Sequence, residues 1–240
     1  MSIPQDYVSV DLETTGLNPK IDKIIEIGMV IVRNGQVEQE YSTLVNPYQQ
    51  LRPETVELTG IRDEMLTDAP GISRVIGKCL ELCGDLPLLG HKILFDYSFL
   101  KKAAVNEGME FEKQGIDTLK LCRKFMPEAE KKNLSSVCAY YGVDLTGAHR
   151  ASHDALATHE LYQRLTAAYG EAAEEDFLPI PLIYKIKREQ PATKRQKEVL
   201  RELLKYHKIN VTVQIDHLSR NEISRLTDKI ILQYGRMSKR

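Results

Sequence analysis

Asp11 and Glu13 stand one residue apart where the apolar run YVSV meets a Thr-Thr-Gly turn. On a strand, side chains two apart share a face, so these carboxylates are neighbours. They repel each other, and burying them without a partner costs several kcal/mol apiece. A positive charge between them removes that conflict, and oxygen ligands of this kind suit hard divalent cations such as Mg²⁺ or Mn²⁺. The pair is weak by itself, because a chain with 13 Asp and 21 Glu in 240 positions holds roughly one Asp-x-Glu by chance.

Two distant segments strengthen it. GHKILFDYSFL, residues 90–100, sets His91, Phe95 and Asp96 among apolar residues, and an acid at a helix start is either a cap or a ligand. AHRASHDALATHEL, residues 148–161, puts His149 five residues before Asp154. There Asp154 lies one turn into a helix, where it could equally answer the helix dipole, and His149 falls in the preceding loop. Chance supplies a His-x-Ala-x-x-Asp pattern of order 0.02 times per chain of this composition.

The elements that must position these residues alternate between strand and helix. YVSVDL reads as a strand, and KIIEIGMVIVRNGQVEQEYSTLV as a hairpin turning at Asn34-Gly35, a pair that accepts positive φ. Helical spacing follows in GISRVIGKCLELC, then a short strand LPLLG and a helix around FDYSFLKKAAVNEG. Further helical segments are IDTLKLCRKFM, NLSSVCAYYGV and a longer one from about Ala151 to Tyr169. The expected fold class is α/β: a mixed sheet with helices on its faces, followed by a small C-terminal helical module.

DLETTGL, HKILFDYSFL and HRASHDA resemble, in order and spacing, the three signature segments of the DnaQ-like 3′–5′ exonucleases, the DEDDh branch of the DEDD superfamily. The likeness covers about residues 5 to 170 and implies a ribonuclease H-like fold. It implies that Asp11, Glu13, Asp96 and Asp154 hold two divalent cations, Mg²⁺ or Mn²⁺, and that His149 is the general base. It places Thr14, Thr15 and Leu17 against the 3′-terminal nucleotide, and Phe95 against a base near the end. Lys92 stands where the family often has Asn, which could remove a local hydrogen bond and add a phosphate contact. His153 is also unusual there, and is expected on the helix surface. His159, His207 and His217 lack companion acids and are expected to be structural or exposed.

Beyond residue 170 the pattern breaks at Pro179, Pro181 and Pro191, which mark a connector over 171–192 whose apolar part, FLPIPLIY, should dock on something. Thr193 with Gln196, and Ser219 with Glu222, each fit a capping box, and apolar residues follow at helical spacing. The expected domains are therefore 1–170, the linker and a basic module at 193–240. The net charge of −1 conceals an asymmetry: residues 1–184 carry −10 and residues 185–240 carry +9. A basic module on an acidic body suits a polyanion, with protein docking and a solvated appendage as competing explanations. Tyr206 and Tyr234 are its only aromatic candidates for base stacking.

Four cysteines form no CxxC pair and read as buried thiols in a reducing compartment, although Cys79 and Cys83, four apart on a helix, leave room for a zinc site. No run approaches the roughly 18 apolar residues of a membrane helix. A cytoplasmic protein without membrane contact is expected. Its expected activity is metal-dependent release of nucleoside 5′-monophosphates from a free 3′ end, with single-stranded DNA as the first substrate. Proofreading beside a DNA polymerase and RNA trimming are alternatives; a nucleic-acid-binding protein that has lost catalysis fits worst, since all four acids and His149 are present.

Overall fold

The computed structural model describes residues 2–146 and 149–237. Chain contacts divide it into two units, Met1–Pro47 with Leu51–Ile186, and Tyr48–Gln50 with Lys187–Arg240.

In the first unit, β1 (Tyr7–Thr14) pairs antiparallel with β2 (Ile24–Arg33), which pairs antiparallel with β3 (Gln36–Leu44). Asn34 and Gly35 adopt φ of 49° and 72°, the mirror-image turn that matches strand twist. On its other side β1 runs parallel to β4 (Leu88–Gly90), which runs parallel to β5 (Gln114–Asp117); β6 (Ile180–Pro181) closes the edge antiparallel to β5. Among the described residues these six strands form one sheet in the order β3-β2-β1-β4-β5-β6.

Helices cover both faces, as the alternation of β1 requires. Val8, Val10 and Leu12 pack with α3 (Ile72–Cys83) and α4 (Leu94–Asn106). Tyr7, from the opposite register, packs with α5 (Thr118–Phe125), α6 (Leu134–Tyr141) and α7 (Ala151–Tyr169). Two short helices, α1 (Pro53–Thr59) and α2 (Asp63–Leu66), cover a smaller cluster of Ile25, Leu51, Ile61 and Leu66. The four cysteines are free and buried, and burial lifts the thiols of Cys79 and Cys83 to about 12, so neither is a ready thiolate ligand.

The expected linker splits. Phe177 and Leu182 are buried in the two large clusters, so the apolar stretch docks and the first unit continues to Ile186. In the second unit, α8 (Lys194–His207) and α9 (Arg220–Tyr234) each begin with the complete capping box. Leu200, Leu203, Leu204, Leu218, Ile223 and Ile230 form its core. INVTVQI contributes one bridge, Val213 to Gln49, with Gln50 N–H donating to the Thr212 carbonyl (2.9 Å) and Gln214 N–H to the Tyr48 carbonyl (2.8 Å).

Candidate active site

The β1–β2 register sets Asp11 opposite Gly28 and Glu13 opposite Glu26, on the face that meets α7. A bulge between Glu13 and Thr14 then breaks the ladder, where the chain leaves the site. Asp96 comes from the first turn of α4 but does not cap it: the cap position is Ile93, and the Asp96 Oδ1 accepts from the Leu12 N–H on β1 (3.1 Å). Asp154 lies in the first turn of α7, where its Oδ2 accepts from the His149 N–H (3.1 Å) and its Oδ1 is buried without a hydrogen-bond partner. Ligand atoms of Glu13, His149 and Asp154 all lie within 4.8 Å of one another. Strand, helix start and loop thus bring Glu13, His149 and Asp154 together, and the Leu12 N–H ties Asp96 to the strand segment that carries Asp11 and Glu13.

The placement of α7 depends on residues that motif reasoning missed. A Cβ on Gly28 would lie 2.1 Å from the Ala151 carbonyl carbon, so only a glycine lets the helix start rest on β2. Glu26 is fully buried and accepts from Arg150 Nη2 (2.8 Å), Arg150 Nε (3.1 Å) and Ala151 N–H (3.0 Å). That fork fixes the residue after His149. Farther along, Ser9 Oγ donates to the Ala155 carbonyl (2.7 Å), and the Tyr7 hydroxyl meets His159 Nδ1 (2.9 Å). The readable signal was a charge and a glycine inside the otherwise apolar IIEIGMVIVR.

Burial, then Asp96, Asp154, Glu13 and Glu26, holds the Asp11 carboxyl well above the carboxylate range. Glu13 is pushed up to about 7 by burial and by Asp154 and Glu26, against the opposing pull of Arg150. Keeping it ionised at pH 7 costs on the order of 3 kcal/mol relative to its ordinary 4.5. Burial also raises Asp96, which donations from its own N–H and from Leu12 only partly offset. Asp154 is raised by burial as well, opposed by the His149 amide and by the charges of His149 and His153. Clustered, desolvated acids and a buried carboxylate oxygen without a hydrogen-bond partner make a donor set that could hold a cation.

Around this centre, Leu17 is 83% exposed, and Phe95 is half-buried, tilted on Phe99 with ring centroids 5.1 Å apart. Thr14 Oγ1 donates to the Gly16 carbonyl (2.8 Å). The Thr15 side chain is buried: its hydroxyl accepts from the Lys23 N–H (3.0 Å) and donates to Asp22 Oδ1 (3.4 Å), fixing the turn. Lys92 adopts φ of 75°, a conformation that Asn adopts more readily than Lys, and its N–H donates to Asp117 Oδ1 (2.9 Å). His91 is held between Thr118 Oγ1 (3.0 Å) and the Lys132 carbonyl (2.7 Å). His153 is exposed, as expected, while His159 is buried.

Comparison with known proteins agrees with this geometry. The exonuclease family profile typified by RNase T matches residues 8–162. The DNA polymerase III PolC-type of Bacillus cereus is 38% identical over 162 residues, 67% of this chain, and that of Bacillus subtilis 38% over 164 residues. In both cases the match spans 11% of the relative's length. Among solved structures, Exonuclease X in complex with 5′ overhanging duplex DNA superposes with a TM-score of 0.58 at 26% identity, over 70% of this chain and 95% of that one. Exonuclease I of E. coli shares the fold, with a TM-score of 0.62 at 16% identity over 72% of this chain and 43% of that one. The fold is the ribonuclease H-like one, and the chain belongs to the DnaQ-like 3′–5′ exonuclease family.

Proposed function

We propose that this chain removes nucleoside 5′-monophosphates one at a time from the 3′ end of single-stranded DNA, using two divalent cations. The observation that supports this best is that, of the four carboxylates Asp11, Glu13, Asp96 and Asp154, Glu13 and Asp154 lie with His149 within 4.8 Å ligand atom to ligand atom, while Asp96 is bonded to β1 between Asp11 and Glu13. Mg²⁺ or Mn²⁺, held by those four acids, would balance their charge, make a bound water more acidic and stabilise charge on the scissile phosphate and leaving oxygen.

The remaining work falls to the chain's own side chains. His149 sits at an exposed loop position with φ of 66°, and an imidazole there can take the proton of the attacking water at neutral pH. As water attacks phosphorus, the bond to the 3′-oxygen breaks with its electron pair on that oxygen, which takes up a proton from solvent. The Glu26–Arg150 fork limits how far His149 can stray. Leu17 and Phe95 supply apolar surface for the terminal sugar and base, while Thr15 acts through the turn it stabilises. DNA is favoured over RNA by the likeness to an exonuclease seen bound to duplex DNA with a 5′ overhang. Proofreading with a polymerase is the second reading, favoured by the likeness to PolC-type polymerases. Buried free cysteines suit a reducing cytoplasm.

The test is to incubate the chain with 3′- and 5′-labelled DNA and RNA, single- and double-stranded, in Mg²⁺, Mn²⁺ or EDTA. Mononucleotide release from the 3′ end, abolished by EDTA, is expected. His149→Ala should lower it about 10²-fold. No release under any metal condition overturns the proposal, and wild-type turnover in the variant removes His149 from the chemistry.

A further inference from the structure

In the second unit, both helices end on aromatic rings. Tyr206 and His207 close α8, and Tyr234 closes α9. His207 Nε2 donates to the Gly235 carbonyl (3.0 Å), which draws the two helix ends together. The His207 ring then lies edge-on to Tyr206, centroids 4.8 Å apart at 84°, and tilted on Tyr234, 5.7 Å apart at 37°. Tyr206 and His207 thereby join Tyr234, 27 positions beyond His207 in sequence, in one three-ring patch. Packing does not require it, because the core of this unit consists of aliphatic residues, and Tyr206 and Tyr234 remain 50% and 49% exposed.

The charges beside the patch are distinctive too. Lys205, Lys208 and Arg236 are exposed and take part in no ion pair among the described residues. By contrast, Arg201 and Lys197 on the same module are committed to Asp216, at 2.7 Å and 3.9 Å. A cation in the last turn of α8 complements the helix dipole, which accounts for Lys205 but not for rings left in water beside it. Rings with accessible faces, flanked by uncommitted cations, match the chemistry of unpaired bases on a phosphate backbone. A duplex, whose bases are already stacked, offers such rings little.

We propose that Tyr206, His207 and Tyr234 form a stacking platform for single-stranded nucleic acid, with Lys205, Lys208 and Arg236 meeting the phosphates. The inference rests on the reading above that nucleic acid is the substrate. It adds a second hold on the strand, tethered to the exonuclease unit by the chain, which keeps the substrate bound between successive cleavages.

The experiment uses the full chain in EDTA, so nothing is cut, and follows fluorescence anisotropy of labelled oligothymidylate, roughly 20 nucleotides long and so longer than common single-strand sites. Y206A and Y234A should each weaken binding about tenfold, and Y206F and Y234F should restore it. K205Q with K208Q should flatten the slope of log affinity against log salt by about 1.4, since each single-strand phosphate contact contributes about 0.7. Where an alanine variant melts early, the lysine pair decides. Unchanged affinity in the alanine variants, together with an unchanged salt slope, overturns the proposal in favour of a protein ligand for this face. Mononucleotide release by the wild-type chain in Mg²⁺, run in parallel, keeps the two readings separate. An active enzyme indifferent to Y206A and Y234A loses the platform alone, whereas an inactive chain that binds through these rings loses the activity alone.

Discussion

Every buried polar or charged side chain among the described residues, from Ser9 through Glu13, Glu26 and Asp96 to His159, belongs to the first unit. The second unit buries leucine and isoleucine and leaves its charges in water. Ionisable groups are costly to bury, so a fold that buries several close together gives up stability to hold them. The second unit carries no such load, and two capping boxes with a small aliphatic core are enough to build it. Stability and function compete inside the first unit and are separable in the second.

The largest expected effect inverts the usual penalty of a core mutation. Asp11→Asn should lower turnover roughly 10³-fold, on the scale of losing a group that stabilises transition-state charge. In EDTA at pH 7 the same variant should melt about 5 °C above the wild type, because folding no longer has to bury an acid whose charged form is disfavoured there. The wild type itself should gain stability as pH falls from 7 towards 4.5 in EDTA. Glu13 holds its proton up to about 7 when folded but only to about 4.5 when unfolded, so the folded state is favoured on the acid side and loses that advantage as pH rises. Calorimetry with and without Mg²⁺ checks both stability effects, and a turnover assay checks the first; an Asp11→Asn variant that melts below the wild type in EDTA would remove the comparison's basis.

Gly28→Ala should come next, since its methyl group meets backbone and cannot be accommodated by a side-chain rotation. A loss of about 1–3 kcal/mol is expected, with a fall in turnover as the start of α7 shifts and carries Asp154 with it. Denaturant unfolding and a turnover assay on the same preparation check this; wild-type behaviour in both would mean that β2 does not set the position of α7. Ser219→Ala should have the smallest effect, about 1 kcal/mol of second-unit stability from loss of the cap, with turnover unaltered. Hydrogen exchange confined to α9 would sharpen the contrast between units, and a matching loss of turnover would blur it.

Much of this was legible in the sequence where a local rule decides the structure. The Asn34-Gly35 turn, both capping boxes and the span of α7 follow from backbone preferences and apolar spacing. The motifs that carry Asp11, Glu13, Asp96, His149 and Asp154 could be read because they keep order across long gaps. β5 and β6 were not, because QGID and IP are too short to show periodicity and become strands only by pairing with a neighbour. Glu26 and Gly28 stayed hidden for a related reason: their roles depend on what lies across the fold, the Arg150 guanidinium and the Ala151 backbone.

The short segment Tyr48–Gln50 has a consequence for how the chain is made. Its backbone partners, Thr212 and Gln214, leave the ribosome long after it does, so the second unit cannot close its last pairings until a distant early stretch is already waiting. Cutting the gene at residue 187 would therefore separate a protein from part of its own neighbour. A graft of the module onto another enzyme needs three residues from upstream to travel with it.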